Sequence, residues 1–318
     1  MKQVLVLGAG GFIGSHLVKR LKDEGAWVRG VDLKYPEHWE TAADQFIIGD
    51  LRDARVVAEV LNLKFDEVYQ LAADMGGAGY IFTGENDAHL MHNSATINLN
   101  VVEQARKVGV HGVFYSSSAC MYPAYNQENP DDFTCKESSA YPAAPDSEYG
   151  WEKLFSERLY LAYNRNYGMK NKVARYHNIF GPYGTWQGGK EKAPAALCRK
   201  VAESTGEIEI WGDGEQLRSF LYIRECIDFT LKFYRDETYF EPVNIGSTQT
   251  VSINELADII ADIAGKKITK KHIDGPIGVR ARTSHNELIR QVLGQAPQEN
   301  LVEGLVHTYK WIRTQVIL

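Results

Sequence analysis

The sequence predicts an α/β protein, a doubly wound parallel sheet joined to a smaller, discontinuous α/β domain. Three observations carry that prediction. Short apolar runs alternate with helix-periodic stretches through the first half of the chain, the pattern of a parallel sheet covered by helices on both faces. A glycine-rich turn follows the first of those runs directly. After Lys172 the alternation loosens into loops and isolated elements, so a second region is assembled from separate pieces.

Taken in order, residues 4–7 form the first strand, and Leu17, Val18 and Leu21 recur at helical spacing within 15–22. Strands follow at 27–31 and 46–48, a helix at 56–61, a fourth strand at 67–71, a long helix at 86–108 and a fifth strand at 112–116. A further helix spans 147–167 and a sixth strand 173–176. Residues 181–189 read as a glycine-rich loop, 193–203 as a helix and 207–211 as a small strand, while 221–235 and 242–245 return to the sheet. The tail, 253–318, holds two amphipathic helices and a Pro/Gly-bearing link at 274–279. The expected division is 1–172 with 221–250 as one domain and 173–220 with 251–318 as the other.

Composition removes several classes. With 318 residues, 44% hydrophobic and 24% charged, the chain has the length of roughly two domains and the make-up of a globular protein, not of a disordered or fibrous one. A formal net charge of −6 provides no global field for nucleic acid or anionic lipid, so neither partner is expected. The N-terminal apolar run is too short for a signal peptide core, and no stretch has the length of a membrane span. The four cysteines show neither CxxC pairing nor zinc-type spacing, which points to a reduced, cytoplasmic protein without a metal; His89 and His92 read as a surface pair.

Gly8, Gly11 and Gly14 stand between a predicted strand and a predicted helix. In that context the first glycine permits the tight turn, the second admits a pyrophosphate to backbone N–H groups and the third lets the helix pack on the strand, a Rossmann-type site with Phe12 and Ile13 at the helix start. Asp32 closes the second strand, at the spacing where a carboxylate accepts from both adenosine ribose hydroxyls, so NAD is favoured over NADP. Asp50 and Leu51 follow the third strand; Asp50 can meet the adenine amino group or serve as a solvated turn or helix cap. Ala72 follows the fourth strand, where a small residue lets backbone approach the cofactor.

Tyr149 and Lys153 are four apart at a helix start, and of the 17 tyrosines only this one has lysine at that spacing. A nearby ammonium favours the phenolate, as a general base at an alcohol requires. Alone, the pair is also compatible with a plain helix surface. It gains meaning beside the fifth strand, whose end presents Ser116, Ser117 and Ser118 at the carboxyl edge of the sheet, where ligands bind in such folds.

With its glycine turn, serine-rich strand end and Tyr/Lys helix in this order, the chain resembles the extended short-chain dehydrogenase/reductase family over essentially its whole length. The resemblance implies a nucleotide-sugar epimerase, dehydratase or decarboxylase that holds NAD throughout its cycle, and a homodimer paired through the helices at 86–108 and 147–167. Residues 175–182, including Asn178, resemble the family's substrate-binding strand end, and 218–223, with Arg218 and Ser219, its nucleotide-sugar segment. A closer similarity rests on Gly76 and Gly77, on 118–123, on 184–196 with Glu191, Lys192 and Ala193, on 211–214 and on 275–280. It is to members that invert C3, C5 or both of a GDP-sugar, GDP-mannose. The alternatives within the family are a nucleotide-sugar 4-epimerase or a C3/C5 epimerase of another nucleotide sugar.

That similarity implies roles. Tyr149 takes the C4 hydroxyl proton, Lys153 holds the ribose and supports the phenolate, and Ser118 bonds the C4 oxygen, while the resulting ketone acidifies the neighbouring C–H bonds. Cys120 and Lys192 become the acid/base pair on opposite faces of the sugar. A thiolate near cations and a desolvated lysine suit those tasks, although Cys120 can equally be a buried structural thiol and Lys192 a phosphate clamp or surface lysine. Sugar dehydratases of the family usually carry glutamate where this chain has Cys120. Arg218, Arg280 and Lys200 are candidates for the diphosphate and nucleotide, or surface cations.

Overall fold

The computed structural model describes residues 1–129, 133–275, 278–298 and 300–317; Pro276 and Ile277, within the predicted 274–279 link, lie outside the described residues.

The central strands of the main sheet are short and buried along nearly all their length because both faces are covered. Val4 and Val6 point into one buried cluster and Leu5 and Leu7 into the other, as alternation along a strand requires. Seven strands lie in the order Val243–Ile245, Lys172–Tyr176, Phe114–Ser118, Glu67–Gln70, Gln3–Leu7, Trp27–Asp32, Gln45–Ile48, all parallel. The helices Phe12–Asp23 and Ile223–Arg235 cover the first face. On the second lie Ala54–Val60, Asp87–Lys107 and Glu148–Tyr167. Strand order reverses beside Gln3–Leu7, which opens a crevice at the carboxyl ends of Gln3–Leu7 and Glu67–Gln70.

The smaller region has its own core, formed by the helices Ala193–Glu203, Ile253–Ala264 and Leu301–Ile317. A four-stranded sheet, Thr250–Ser252, Leu217–Ser219, Ala281–Ser284 and Thr134–Cys135, stands beside it. Two parallel pairs complete it, Glu207–Trp211 with Thr269–Ile273 and Ile179–Phe180 with Leu221–Tyr222.

Packing departs from the expected division in three places. Lys172–Tyr176 lies between two strands of the main sheet, so a boundary at Lys172 would cut through that strand's start. Thr134–Cys135, within 1–172, pairs with Ala281–Ser284 on the other side. The helix Glu287–Leu293, within 251–318, buries Ile289 in a main-sheet cluster. The tail therefore holds three helices and two complete strands where two helices were expected.

Candidate functional site

The crevice and the cavity beside it are built from strand ends. At the crevice, Gly8 has φ +87°, and a Cβ there would lie 2.7 Å from Ala72 N, so the first and fourth strand ends touch. A Cβ on Gly14 would lie 2.0 Å from Gly8 O, which seats the helix on the turn. Gly11 differs: it is exposed, and its Cβ would meet Gly8 O only at an ordinary 3.4 Å. Nothing in the protein demands its smallness, whereas a pyrophosphate at the uncapped start of Phe12–Asp23 would. Asp32 is fixed at the crevice lip, its Oδ2 accepting from Gly10 N at 3.0 Å and its Oδ1 from Leu33 N at 2.7 Å. These features fit a dinucleotide. Gly10 escaped the sequence motif, yet a Cβ there would lie 2.1 Å from Lys34 O, so it is what lets the chain beyond Asp32 cross so closely.

Other crevice residues have protein partners. Asp50 is held by Arg52, Nη2 to Oδ2 at 2.6 Å, which keeps its carboxyl below the usual range. Leu51 is buried, and Phe12 and Ile13 are half-buried. The Phe12 ring meets His16 edge-on and lies beneath Gly184.

Beyond the crevice is a cavity of about 330 Å³ lined by Ser118, Cys120, Tyr149, Lys192, Arg218 and Arg282. The helix Glu148–Tyr167 starts at Ser147, whose hydroxyl accepts from Gly150 N at 3.3 Å. A Cβ on Gly150 would lie 2.2 Å from Cys120 O, so only glycine lets the first turn rest on that peptide and bring Tyr149 to it. Lys153 Nζ donates to Ser116 O at 2.9 Å and stands 5.6 Å from the Tyr149 ring centre. Cys120 lies in a single 3-10 turn after Phe114–Ser118, its N–H donated to Ser118 Oγ at 3.2 Å. Lys192 is the residue at the N-terminal cap of Ala193–Glu203.

Electrostatics revise one expectation. Burial pushes the Tyr149 phenol up, Cys120 and Glu152 push it further, and only the Ser118 hydrogen bond opposes them. Lys153 does not bring it toward neutrality here, because burial pushes the Lys153 ammonium down as well. Burial likewise lowers Lys192, against the pull of Cys120. Arg218 is driven down to about 9, by burial first and by Arg282 next; its Nη2 donates to Val279 O at 2.6 Å.

Gly76, Gly77, Asn178, Glu191, Ala193 and Lys200 also line the cavity. A Cβ on Gly77 would lie 2.4 Å from Glu191 O, so this glycine sets the approach of the two loops. Glu191 accepts from Gly189 N at 2.7 Å, and Lys200 Nζ donates to Glu209 O at 2.7 Å. Two predicted residues are elsewhere. Ser219 follows Arg218 on a strand and so faces the opposite way, buried with its hydroxyl unpartnered among the described residues. Arg280, before the strand Ala281–Ser284 begins, pairs with Asp213 at 3.0 Å on the surface and does not line the cavity.

Arg282 takes the place expected for Arg280. Its Nη1 donates to Cys120 Sγ at 3.2 Å, a charge-assisted contact. The only signal in the sequence was its position two residues along from Arg280, which has no meaning until the strand's start is known.

The family model for the NAD dependent epimerase/dehydratase family matches residues 4–246. GDP-mannose 3,5-epimerase of Arabidopsis thaliana is 46% identical over 316 residues, 99% of this chain and 83% of that one. Among solved structures, the UDP-glucose 4-epimerase of Thermotoga maritima with UDP-glucose has a TM-score of 0.87 at 26% identity, with 99% of each chain covered. The UDP-glucuronic acid 4-epimerase of Bacillus cereus, in complex with UDP-glucuronic acid and NAD, has a TM-score of 0.85 at 25% identity, covering 98% of this chain and 99% of that one. With a glycine crevice that fits a dinucleotide and matches extending along nearly its whole length, the chain belongs to the NAD dependent epimerase/dehydratase family.

Proposed function

We propose that the protein inverts C3, C5 or both of GDP-mannose through a transient 4-keto sugar, using NAD held in the crevice. The observation that carries this reading is the placement of Cys120 and Lys192 on the same cavity as Ser118 and Tyr149. Simple 4-epimerisation needs no second acid/base pair, whereas inversion beside a ketone needs one on each side of the ring.

Bound NAD supplies a hydride acceptor for C4 and returns the hydride at the end, so no net oxidation occurs. The phenol oxygen of Tyr149 accepts the C4 hydroxyl proton while Ser118 bonds the same oxygen. Lys153, with one of its three N–H groups on Ser116 O, keeps two for ribose hydroxyls. Cys120 removes a proton from a carbon next to the C4 carbonyl, and Lys192 delivers one to the opposite face. Arg218 and Lys200 serve the diphosphate and nucleotide, and Asp32 the adenosine ribose.

The outward faces of the two long helices favour a homodimer. Met91, Leu99, Trp151 and Phe155 are exposed there, from 36% for Met91 to 47% for Phe155, and a second copy would cover them. The four cysteines are all free, in keeping with a reducing, cytoplasmic setting.

Incubation with GDP-mannose in deuterated water tests the chemistry. Deuterium at C3 or C5 of recovered sugar is expected; hydrogen retained at both positions would refute the reading in favour of 4-epimerisation or another substrate.

A further inference from the structure

Arg282 stands on the cavity wall, and each of its guanidinium nitrogens has a separate partner. Nη1 donates to Cys120 Sγ at 3.2 Å, Nη2 to Asp146 Oδ2 at 3.3 Å, and Nε to Gln127 Oε1. Because a guanidinium is planar and rigid, fixing two of its nitrogens fixes where the third points. The two fixing residues are themselves anchored. Gln127 is fully buried, and its Nε2 donates to Tyr122 O at 3.3 Å and Pro123 O at 3.0 Å, in the backbone that follows Cys120. Asp146 is 12% exposed, stands just before the cap of the Tyr149 helix and accepts from Ser147 Oγ at 3.4 Å. Neither lines the cavity.

We propose that Gln127 and Asp146 are positioning residues that aim the Arg282 guanidinium at the Cys120 sulfur. This rests on the reading of Cys120 as the base of the epimerising step. Their contribution is selective. Arg218 pairs with Arg282 in the strand register, and two adjacent guanidiniums repel. Left unanchored, Arg282 would swing toward solvent or toward the substrate diphosphate and away from the thiol. The Asp146 carboxylate offsets part of that repulsion, and Gln127 sets the direction without adding charge. Among the described residues neither Gln127 nor Asp146 makes a hydrogen bond or ion pair with Tyr149 or Lys153, so transfer of the C4 hydrogen is expected to stay intact.

Asp146→Asn and Gln127→Met, which keep shape and remove the charge or the acceptor, test this in the holoenzyme. Three quantities separate the outcomes: the rate of Cys120 alkylation by iodoacetamide at neutral pH, deuterium incorporation next to C4, and single-turnover formation of reduced nicotinamide. Alkylation and deuterium incorporation are expected to fall about tenfold, as for loss of a hydrogen bond to a charged group, with reduced nicotinamide formation unchanged. Unchanged alkylation in both variants would overturn the proposal. So would a parallel fall in all three quantities, which marks a purely structural role. If wild-type protein alkylates rapidly but exchanges no proton of GDP-mannose, the functional reading fails, while the alkylation arm still decides whether Arg282 is aimed.

Discussion

Tyr149 meets two opposed demands. It must be buried to exclude water from the reacting alcohol, and burial drives its phenol away from the ionised form a base requires. Lys153, 5.6 Å from the ring centre, is itself pushed toward its neutral form by burial and does not offset that effect. Lys153→Met is expected to lower turnover at neutral pH by at least about 100-fold, through loss of its bonds to Ser116 O and the ribose, and to leave the ascending limb of the kcat profile in place. A profile measured from pH 6 to 10 checks both. His16 and His177 govern acid stability instead. Burial pushes them down to about 4 and about 3. Both stay neutral in the fold, while the unfolded chain takes up protons near pH 6.5. Stability is thus fully present above that value and is lost as pH falls toward 4. Urea midpoints are expected to drop across this window, and His16→Gln, whose Nε2 can take the place of the ring Nε2 on Pro182 O, is expected to flatten part of the slope. At this scale the sequence was informative about local spacing. Tyr149, Lys153 and the glycines are read from short intervals, whereas Gln127 and Asp146 take their meaning from Arg282, 155 and 136 positions away.

Elements were legible where they are long or repeat a simple period. The helices at the main sheet and its seven strands follow from alternation of apolar runs with helical spacing. Thr134–Cys135, Ile179–Phe180 and Leu221–Tyr222 did not, since two residues carry no period. Ala281–Ser284, four residues with no apolar alternation, was not expected either, so Arg280 was chosen and Arg282, which lines the cavity, was not. The helix Glu148–Tyr167 was legible as a helix, but its fit against Cys120 was not. Gly150→Ala places a methyl carbon 2.2 Å from Cys120 O, and the helix must move. A loss of about 2 kcal/mol or more in denaturant titration, with turnover falling further than stability, is the expected outcome. A second element contact is the stack of Trp39 on Tyr183, 4.3 Å between centres, with Trp311 5.3 Å from Tyr183. It ties the segment after Asp32 to the C-terminal helix. Trp39→Ala is expected to lower stability by about 2 kcal/mol, measured the same way.

For the whole molecule, the expected pair of domains proved to be interwoven, and the physical reason is contact between distant stretches that no local pattern announces. Helix Glu287–Leu293 lies under the main sheet, and Thr134–Cys135 lies in the other one. A single cooperative unfolding transition is expected in calorimetry, with calorimetric and van't Hoff enthalpies equal; two resolved transitions would contradict it. The parent is expected to sediment as dimer and the double variant Trp151→Glu/Phe155→Glu as monomer, since it places charges on the exposed apolar face of the two helices.

The two-residue strand at Thr134–Cys135 also bears on how such a protein can be diversified. A swap of substrate halves between relatives, cut at the seemingly natural point near Lys172, would leave one thread of the old half inside the new one, and that thread leads directly to the residues flanking Cys120. A functional chimera would therefore have to carry residues 119–140 together with the second half.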